Sequence, residues 1–459
     1  MSTPTPDSQC EHDTGVIDII RPLDPEVRPQ PGELVFVAVS DLSGMTKGRA
    51  VRAEDFDERS SVGWVPANLG IGPLGHIVDD IPYGSTGDCR LRPDISSAVR
   101  VKGIPGQQDH TFVFADIVET DGCSWTGDSR AFLRSAAEKL ESEFGIRTKA
   151  AFEHEFTDLG DDSPTHPFSL DAYRSIEPIG SEVMAALSDM GAEPENWLPE
   201  YSPHQFEVTV SPTSPLQAAD RAVLVRDTVR AVFKGHDREV TFSPIPAPGE
   251  GGSGVHVHFG LENLDGAPFV YDADRPGRIS EPAGRFAAGI VKYAPAMTAW
   301  FAPLVISGER LKPNNWSTAR AFMGLQNREA LLRITPTNEM DGRDPAKQLH
   351  FELRGADIGA NPYILLGMIL HAGMAGLREN LDPATVVEGE LDLDGAHQDL
   401  PVLPTDLPTA LEVFENDAVV RSWFPEQMTK TFLAVKRDEI QLLKDMSMEE
   451  CCRRYAQIF

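Results

Sequence analysis

The sequence predicts an α+β protein in two parts: a small β-rich N-terminal domain, and a large domain built on an antiparallel sheet curved around a polar interior. Three observations predict it. Residues 34 to about 118 carry short strand-like runs broken by many Gly and Pro. From about residue 126 to the C-terminus, short strand patterns alternate with helical ones. Within that second part, five short segments each place apolar residues on one face and hydrogen-bonding or charged residues on the other.

In chain order, residues 1–33 are rich in Pro and acids without apolar periodicity and read as a flexible arm. The opening "MSTPTPDSQCEHDTG" lacks a basic stretch followed by an apolar run, which excludes a signal peptide. "ELVFVAVSDLSGMTKGRAV" reads as a strand, a turn at Ser43-Gly44 and a second strand, opening a domain over 34–125. "SRAFLRSAAEKLESEFG" is an amphipathic helix ended by Gly145, and it opens the domain 126–459. "NPYILLGMILHAGMAGL" is the most apolar segment; it is too short for a membrane span and carries His371, so it reads as a buried helix. Asn361 can cap that helix and Pro362 suits its first turn.

The chain has 459 residues, 41% hydrophobic and 24% charged, with a formal net charge of -30. That acidity excludes a nucleic-acid partner, because phosphate backbones are held by Lys and Arg. Most of it is a solvated surface. The five cysteines are few and lack metal-site spacing, which fits a reducing cytoplasm. No segment calls for a membrane.

"GGSGVHVHFG" places His256 and His258 two apart, hence on one strand face, and alone does not decide between a polar patch, a metal site and a phosphate contact. Four other segments bring matching chemistry. In "AFEHEF", Glu153 and Glu155 oppose Phe152, His154 and Phe156. In "HQFEVTV", Gln205, Glu207 and Thr209 oppose Phe206, Val208 and Val210. Arg333 in "ALLRI" opposes Leu332 and Ile334, and in "HFELR" Glu352 and Arg354 oppose Phe351 and Leu353. A sheet curved around a polar interior satisfies both faces. Carboxylates crowded there cannot all stay ionised without cations. Oxygen ligands with an imidazole suit a hard divalent ion, Mg²⁺ or Mn²⁺. The arginines then face a second anion, and with a glycine-rich loop the set suggests phosphoryl transfer.

These residues carry a resemblance to glutamine synthetases over about residues 34–459. In family order come Glu153-x-Glu155, Glu200 and Glu207 in "EYSPHQFE", "GSGVHVH", Arg310 in "ERLKP", then Asn327-Arg328 and "LRITP", and finally "ELRGAD" and "ANPY". The resemblance implies a β-grasp-like small domain and a half-barrel sheet wrapped by helices. It implies two cations, one on Glu155, Glu200 and Glu207 and the other on Glu153, His256 and Glu352. It places His258, with Ser253, near the ATP phosphates, which gives one histidine to metal and the other to phosphate. Arg310, Arg354 and the Gly252 backbone would bind glutamate, and Arg328 and Arg333 would neutralise the transferring phosphoryl group. The implied partners are glutamate, ATP and a small amine. The implied assembly is a dodecamer of two stacked hexameric rings.

The chain departs from the family where the second substrate binds. Family members that use ammonia carry a glutamate six residues after the arginine matched by Arg310, acting as a base; here that position is Trp316, which offers an apolar face and no base. Ile245 in "FSPIP" replaces a family lysine, and Gly251 replaces the asparagine or aspartate before G-S-G. The small domain's aspartate loop is replaced by the apolar "WVPANLGIGPLG" at 64–75, expected to stand as an exposed patch on a monomer. No tyrosine lies between Tyr363 and Tyr455, so the family's adenylylation tyrosine is absent. The expected activity is an ATP-dependent glutamate–amine ligase using an organic, apolar or aromatic amine. The alternatives are an ordinary glutamine synthetase, a ligase for another acid, and a non-catalytic member, the last opposed by the presence of all six matched ligands.

Overall fold

The computed structural model describes residues 23–459 except 58, 161–162, 313–318 and 394. The N-terminal strands are β1 (Leu34–Ser40), β2 (Thr46–Arg52), β3 (Val62–Trp64), β4 (Cys89–Pro93), β5 (Val99–Val101) and β6 (His110–Glu119). They form one sheet in the order β2-β1-β6-β4-β3, with β5 on β6. The expected hairpin is there: β1 and β2 pair antiparallel around Gly44, whose φ of 72° suits glycine. β1 also pairs parallel with β6. The residues from Leu23 to Glu33, for which the composition predicts a flexible arm, lie against this sheet. Leu23 is buried, Thr111 Oγ1 donates to the Val27 carbonyl at 2.8 Å, and Glu33 pairs with Arg100.

The larger part follows as α1 (Ser129–Phe144), β7 (Ile146–Asp158), α2 (Leu170–Ser175), α3 (Ile179–Asp189), β8 (Pro194–Pro199), β9 (Gln205–Val210), α4 (Pro215–Gly235), β10 (Val240–Thr241), β11 (Val255–Asn263), α5 (Glu281–Phe301) and α6 (Ser307–Arg310). Next come β12 (Met323–Leu325), β13 (Leu332–Ile334), β14 (Phe351–Leu353), α7 (Pro362–Arg378), β15 (Val386–Val387), α8 (Leu407–Asn416), α9 (Ala418–Ser422), α10 (Glu426–Leu443) and α11 (Met448–Ala456). Nine strands make a half-barrel sheet in the order β15-β12-β13-β14-β11-β7-β9-β8, with β10 on β7. The five segments with mixed faces are five consecutive strands of it, β13-β14-β11-β7-β9. The sheet is antiparallel there; β12 departs by pairing parallel with both β13 and β15.

The apolar faces of these strands are buried: Phe152, Phe156, Val208, Val257, Leu332 and Phe351 are all fully enclosed. Helices α1, α4 and α5 pack on the strands, and α7 packs against those helices. α1 is capped by Asp128, which accepts from the Arg130 amide, and ends at Gly145 in the left-handed conformation. Asn361 caps α7 through the amides of Tyr363 and Ile364, with Pro362 in the first turn, as the sequence predicts. No helix among the described residues is long and apolar enough to cross a membrane.

One expectation is corrected. Trp64 and Leu69 in the 64–75 loop are buried within the chain itself, and Ile71 and Leu74 are half-buried. The loop packs against α10, where Gly72 approaches Val435, so it leaves no broad apolar patch. Its apolar composition serves the chain's own core.

Candidate active site

Strand register assembles the site. Directly opposed residues share a face, and His256 opposes Glu153, Glu155 opposes Glu207, and Glu352 opposes both His258 and Arg333. The polar faces expected from sequence therefore meet. His154, on the other face, is a core histidine whose imidazole is pushed down to about 3 by burial and then by Arg226.

His256 Nδ1 lies 3.4 Å from Glu153 Oε2 and 3.7 Å from Glu352 Oε1. His258 Nε2 lies 3.1 Å from Glu153 Oε1 and 3.8 Å from Glu352 Oε1. Among the described residues, two groups could hold a metal ion, Glu153 with Glu207 and His256, and Glu153 with His258 and Glu352. This grouping differs from the one the resemblance implies. Glu155 and Glu200 belong to neither group; Glu155 Oε2 instead accepts from the Gly254 amide at 2.6 Å.

The electrostatics are those of an anionic funnel with some countercharge. Burial alone would raise Glu352, but Arg354, His256 and His258 outweigh it and hold the carboxyl down at about 2. Burial is likewise overcome at Glu153, by His258 and His256, leaving it well below the ordinary range. Glu200 is raised to about 7, first by burial and then by Glu155. Glu207 is pushed well above the usual carboxylate range by burial, Glu153 and Glu155. The protein's own cations therefore do not neutralise this cluster, and the oxygen-rich donor set fits Mg²⁺ or Mn²⁺.

The arginines are placed as follows. Arg333 Nη1 donates to Glu352 Oε2 at 2.9 Å, and Arg354 Nη1 donates to Glu352 Oε1. Arg310 is buried and donates to the backbone carbonyls of Ala356 (3.2 Å) and Arg354 (3.1 Å). Arg328 is exposed on the β12–β13 connection. A Cβ at Gly252 would come within 2.9 Å of Arg310 Cγ, and one at Gly254 within 2.2 Å of Arg310 Nη2, which is why this loop is glycine-rich. A Cβ at Gly251 would strike Ser202 Oγ at 1.7 Å. Trp316 lies outside the described residues.

A cavity of about 260 Å³ opens beside the carboxylates, lined among others by Glu153, His258, Gly260, Glu195, Thr209 and His350. Ser253 is not in its wall; it is buried near Gln205 and Pro244. His350, Glu195 and Thr209 are not among the site residues expected from sequence. Thr209 was visible only as a polar member of a strand already singled out, and neither His350, just before β14, nor Glu195 carried a signal.

The chain matches the glutamine synthetase N-terminal domain over residues 22–125 and the glutamine synthetase catalytic domain over 126–455. It is 28% identical over 446 residues to a gamma-glutamylpolyamine synthetase of Streptomyces coelicolor, covering 93% of each chain. It is also 28% identical over 440 residues to a glutamate–isopropylamine ligase of a Pseudomonas species, covering 89% of this chain and 92% of that one. Proteins named glutamine synthetase match as well. A solved structure described as a novel glutamine synthase homolog aligns with a TM-score of 0.87 at 37% identity, over 94% of this chain and 99% of that one. The chain belongs to the glutamine synthetase family.

Proposed function

We propose that the protein is an ATP-dependent ligase that joins the γ-carboxylate of glutamate to an organic amine through a γ-glutamyl phosphate. The observation that supports this most is the convergence of Glu153, Glu155, Glu207, Glu352, His256, His258 and Arg333 on one face of one sheet. The amine, rather than ammonia, is supported by Trp316 at the position where ammonia users carry a base, and by relatives named for polyamine and isopropylamine.

In this reading Glu153, Glu155, Glu200, Glu207, His256 and Glu352 hold two divalent cations. Such cations, when bound, neutralise phosphate oxygens and orient them for in-line transfer. Arg310 and Arg354 hold the carboxylates of glutamate beside the Gly252 backbone, their guanidinium planes fixed by backbone carbonyls. A γ-carboxylate oxygen attacks the γ-phosphorus of ATP and ADP leaves. Arg328 and Arg333 balance the charge on the transferring group. The amine lone pair then attacks the acyl carbon, phosphate departs, and the amine loses a proton. Phosphorylation is needed because oxide is a poor leaving group. The same reading places the protein in the cytoplasm as a dodecamer of two hexameric rings.

The direct test is a screen of amines for glutamate- and ATP-dependent phosphate release. Turnover with at least one organic amine above that with ammonium is expected. Release with ammonium alone would leave an ordinary glutamine synthetase.

A second test concerns the cations. Glu200 and Glu207 have folded-state values above their unfolded ones, so proton uptake stabilises the metal-free protein at low pH. For Glu200 that stabilisation is lost as pH rises through about 7. Chelator-treated protein should therefore melt lower at pH 8 than at pH 6, and Mn²⁺ should raise Tm more at pH 8. A Tm gain from Mn²⁺ that is the same at both pH values would argue against these carboxylates as ligands.

A further inference from the structure

Asp357 is a buried carboxylate that the proposed reaction does not use. A buried anion is costly to keep unless it is bonded, so its partners show what it is for. Asp357 Oδ2 accepts from Ser307 Oγ at 2.5 Å, and Oδ1 accepts from the Gly359 amide at 2.9 Å. Its own amide donates to the Phe301 carbonyl, at the end of α5, at 3.0 Å. Ser307 opens α6, the short turn that ends at Arg310. The Ser307 hydroxyl also accepts from the Leu304 amide at 2.9 Å. Gly359 lies so close to Leu304 that a Cβ on it would come within 2.6 Å of Leu304 Cγ. One carboxylate therefore joins two segments, 304–310 and 354–360, at a place where they touch.

Each segment carries one of the two arginines assigned to glutamate: Arg310 ends the first and Arg354 opens the second. Arg310 Nη2 donates to the Arg354 carbonyl at 3.1 Å and Nη1 to the Ala356 carbonyl at 3.2 Å. The Ala356 carbonyl also accepts from the Val255 amide, at the start of β11, at 2.9 Å. A guanidinium is a rigid planar fork, so its aim follows the acceptors that hold it. A shift of the 354–360 loop relative to α6 would move both acceptors and turn Arg310 with them. We infer that Asp357 is a positioning residue for the acid substrate: by bonding Ser307 and Gly359 it fixes Arg310 relative to Arg354, and so the fit of the pair to the carboxylates of glutamate. This rests on the reading that these two arginines bind glutamate.

The test is steady-state phosphate release by the full chain with ATP, Mg²⁺ and an amine that supports wild-type turnover, varying glutamate and ATP in turn. Asp357→Ala removes both bonds and should raise KM for glutamate at least about tenfold, within the roughly 10²-fold that about 1 Å of misplacement can cost. KM for ATP should stay within about twofold, because the nucleotide does not use this pair. Asp357→Asn can accept from the Gly359 amide through Oδ1 and donate to Ser307 Oγ through Nδ2, and should keep KM for glutamate within about threefold. Ser307→Ala cuts the link from the other side and should raise KM for glutamate as Asp357→Ala does; it decides the matter if the aspartate variant does not fold. A general loss of structure would instead lower kcat with the active fraction and leave KM for glutamate where it was. An unchanged KM for glutamate in the alanine variants, or an equal rise in the asparagine variant, overturns the inference. Arg310→Gln is measured alongside. A raised KM for glutamate there, with none in Ser307→Ala, removes the role of Asp357 alone. No change there, or a wild type that consumes no glutamate, removes the proposed acid site and the inference with it.

Discussion

Glu352→Gln is expected to fold and to release phosphate at least about a thousandfold more slowly than wild type, the loss of several kcal/mol of charge stabilisation in the transition state. Glu352 is 1% exposed and lies between Arg333 and Arg354. Each carboxylate oxygen has two lone pairs, so pairing with arginine leaves room for a cation. Alanine at this position would do two things at once. It would remove a ligand, and it would leave two buried guanidinium groups without their anion, a loss of about 3–5 kcal/mol when a buried pair is broken. Glutamine separates these effects, because its oxygen still accepts from one arginine while the charge is gone. The expected pattern is a Tm without metal lowered less than in the alanine variant, a smaller Tm gain from Mn²⁺, and turnover at least about a thousandfold below wild type. Turnover within tenfold of wild type in the glutamine variant would take Glu352 out of the cation site.

Much of this site was legible in sequence because a strand writes its two faces at alternate positions. Glu153/Glu155 against Phe152/Phe156, and His256/His258 against Val255/Val257, show which side is buried before any partner is known. What alternation does not supply is the neighbour of each strand. That came from register: Glu352 meets His258 and Arg333 because β14 lies between β11 and β13. Residues that act across the sheet were invisible for the same reason. His350 sits on the far side of 92 residues from the His258 it touches, and nothing in "KQLHF" distinguishes it from an exposed polar position. The loop at 64–75 misled in the opposite sense. Apolar composition indicates that a surface is buried but not what buries it, and here α10 of the same chain does so.

That correction bears on the amine. With Trp64 and Leu69 enclosed in the chain's own core, the preference proposed for an apolar amine rests on the tryptophan at position 316 of the sequence. Ammonia is almost wholly protonated near pH 7, and an enzyme that uses it needs both a cation site and a base. Alkylamines, including polyamines, share that need. An aromatic amine is already neutral, since its lone pair is delocalised into the ring, and it brings a face that can stack on an indole for about 1 kcal/mol beyond area burial. A tryptophan in place of the base is therefore tolerable for an arylamine and costly for ammonium. The expected result is a higher kcat/KM for aniline-like or other apolar amines than for ammonium in the wild type. Trp316→Glu should restore a base and shift that ratio towards ammonium by at least about tenfold, against the 10²- to 10⁴-fold that a well-placed base contributes. Asp79 and Asp80 are exposed on the N-terminal domain, and they are the acids that could supply a base instead. If they do, the wild type will make glutamine from ammonium faster than any amide from an apolar amine, and Trp316→Glu will leave the ratio where it was; that pair of results would refute the arylamine reading.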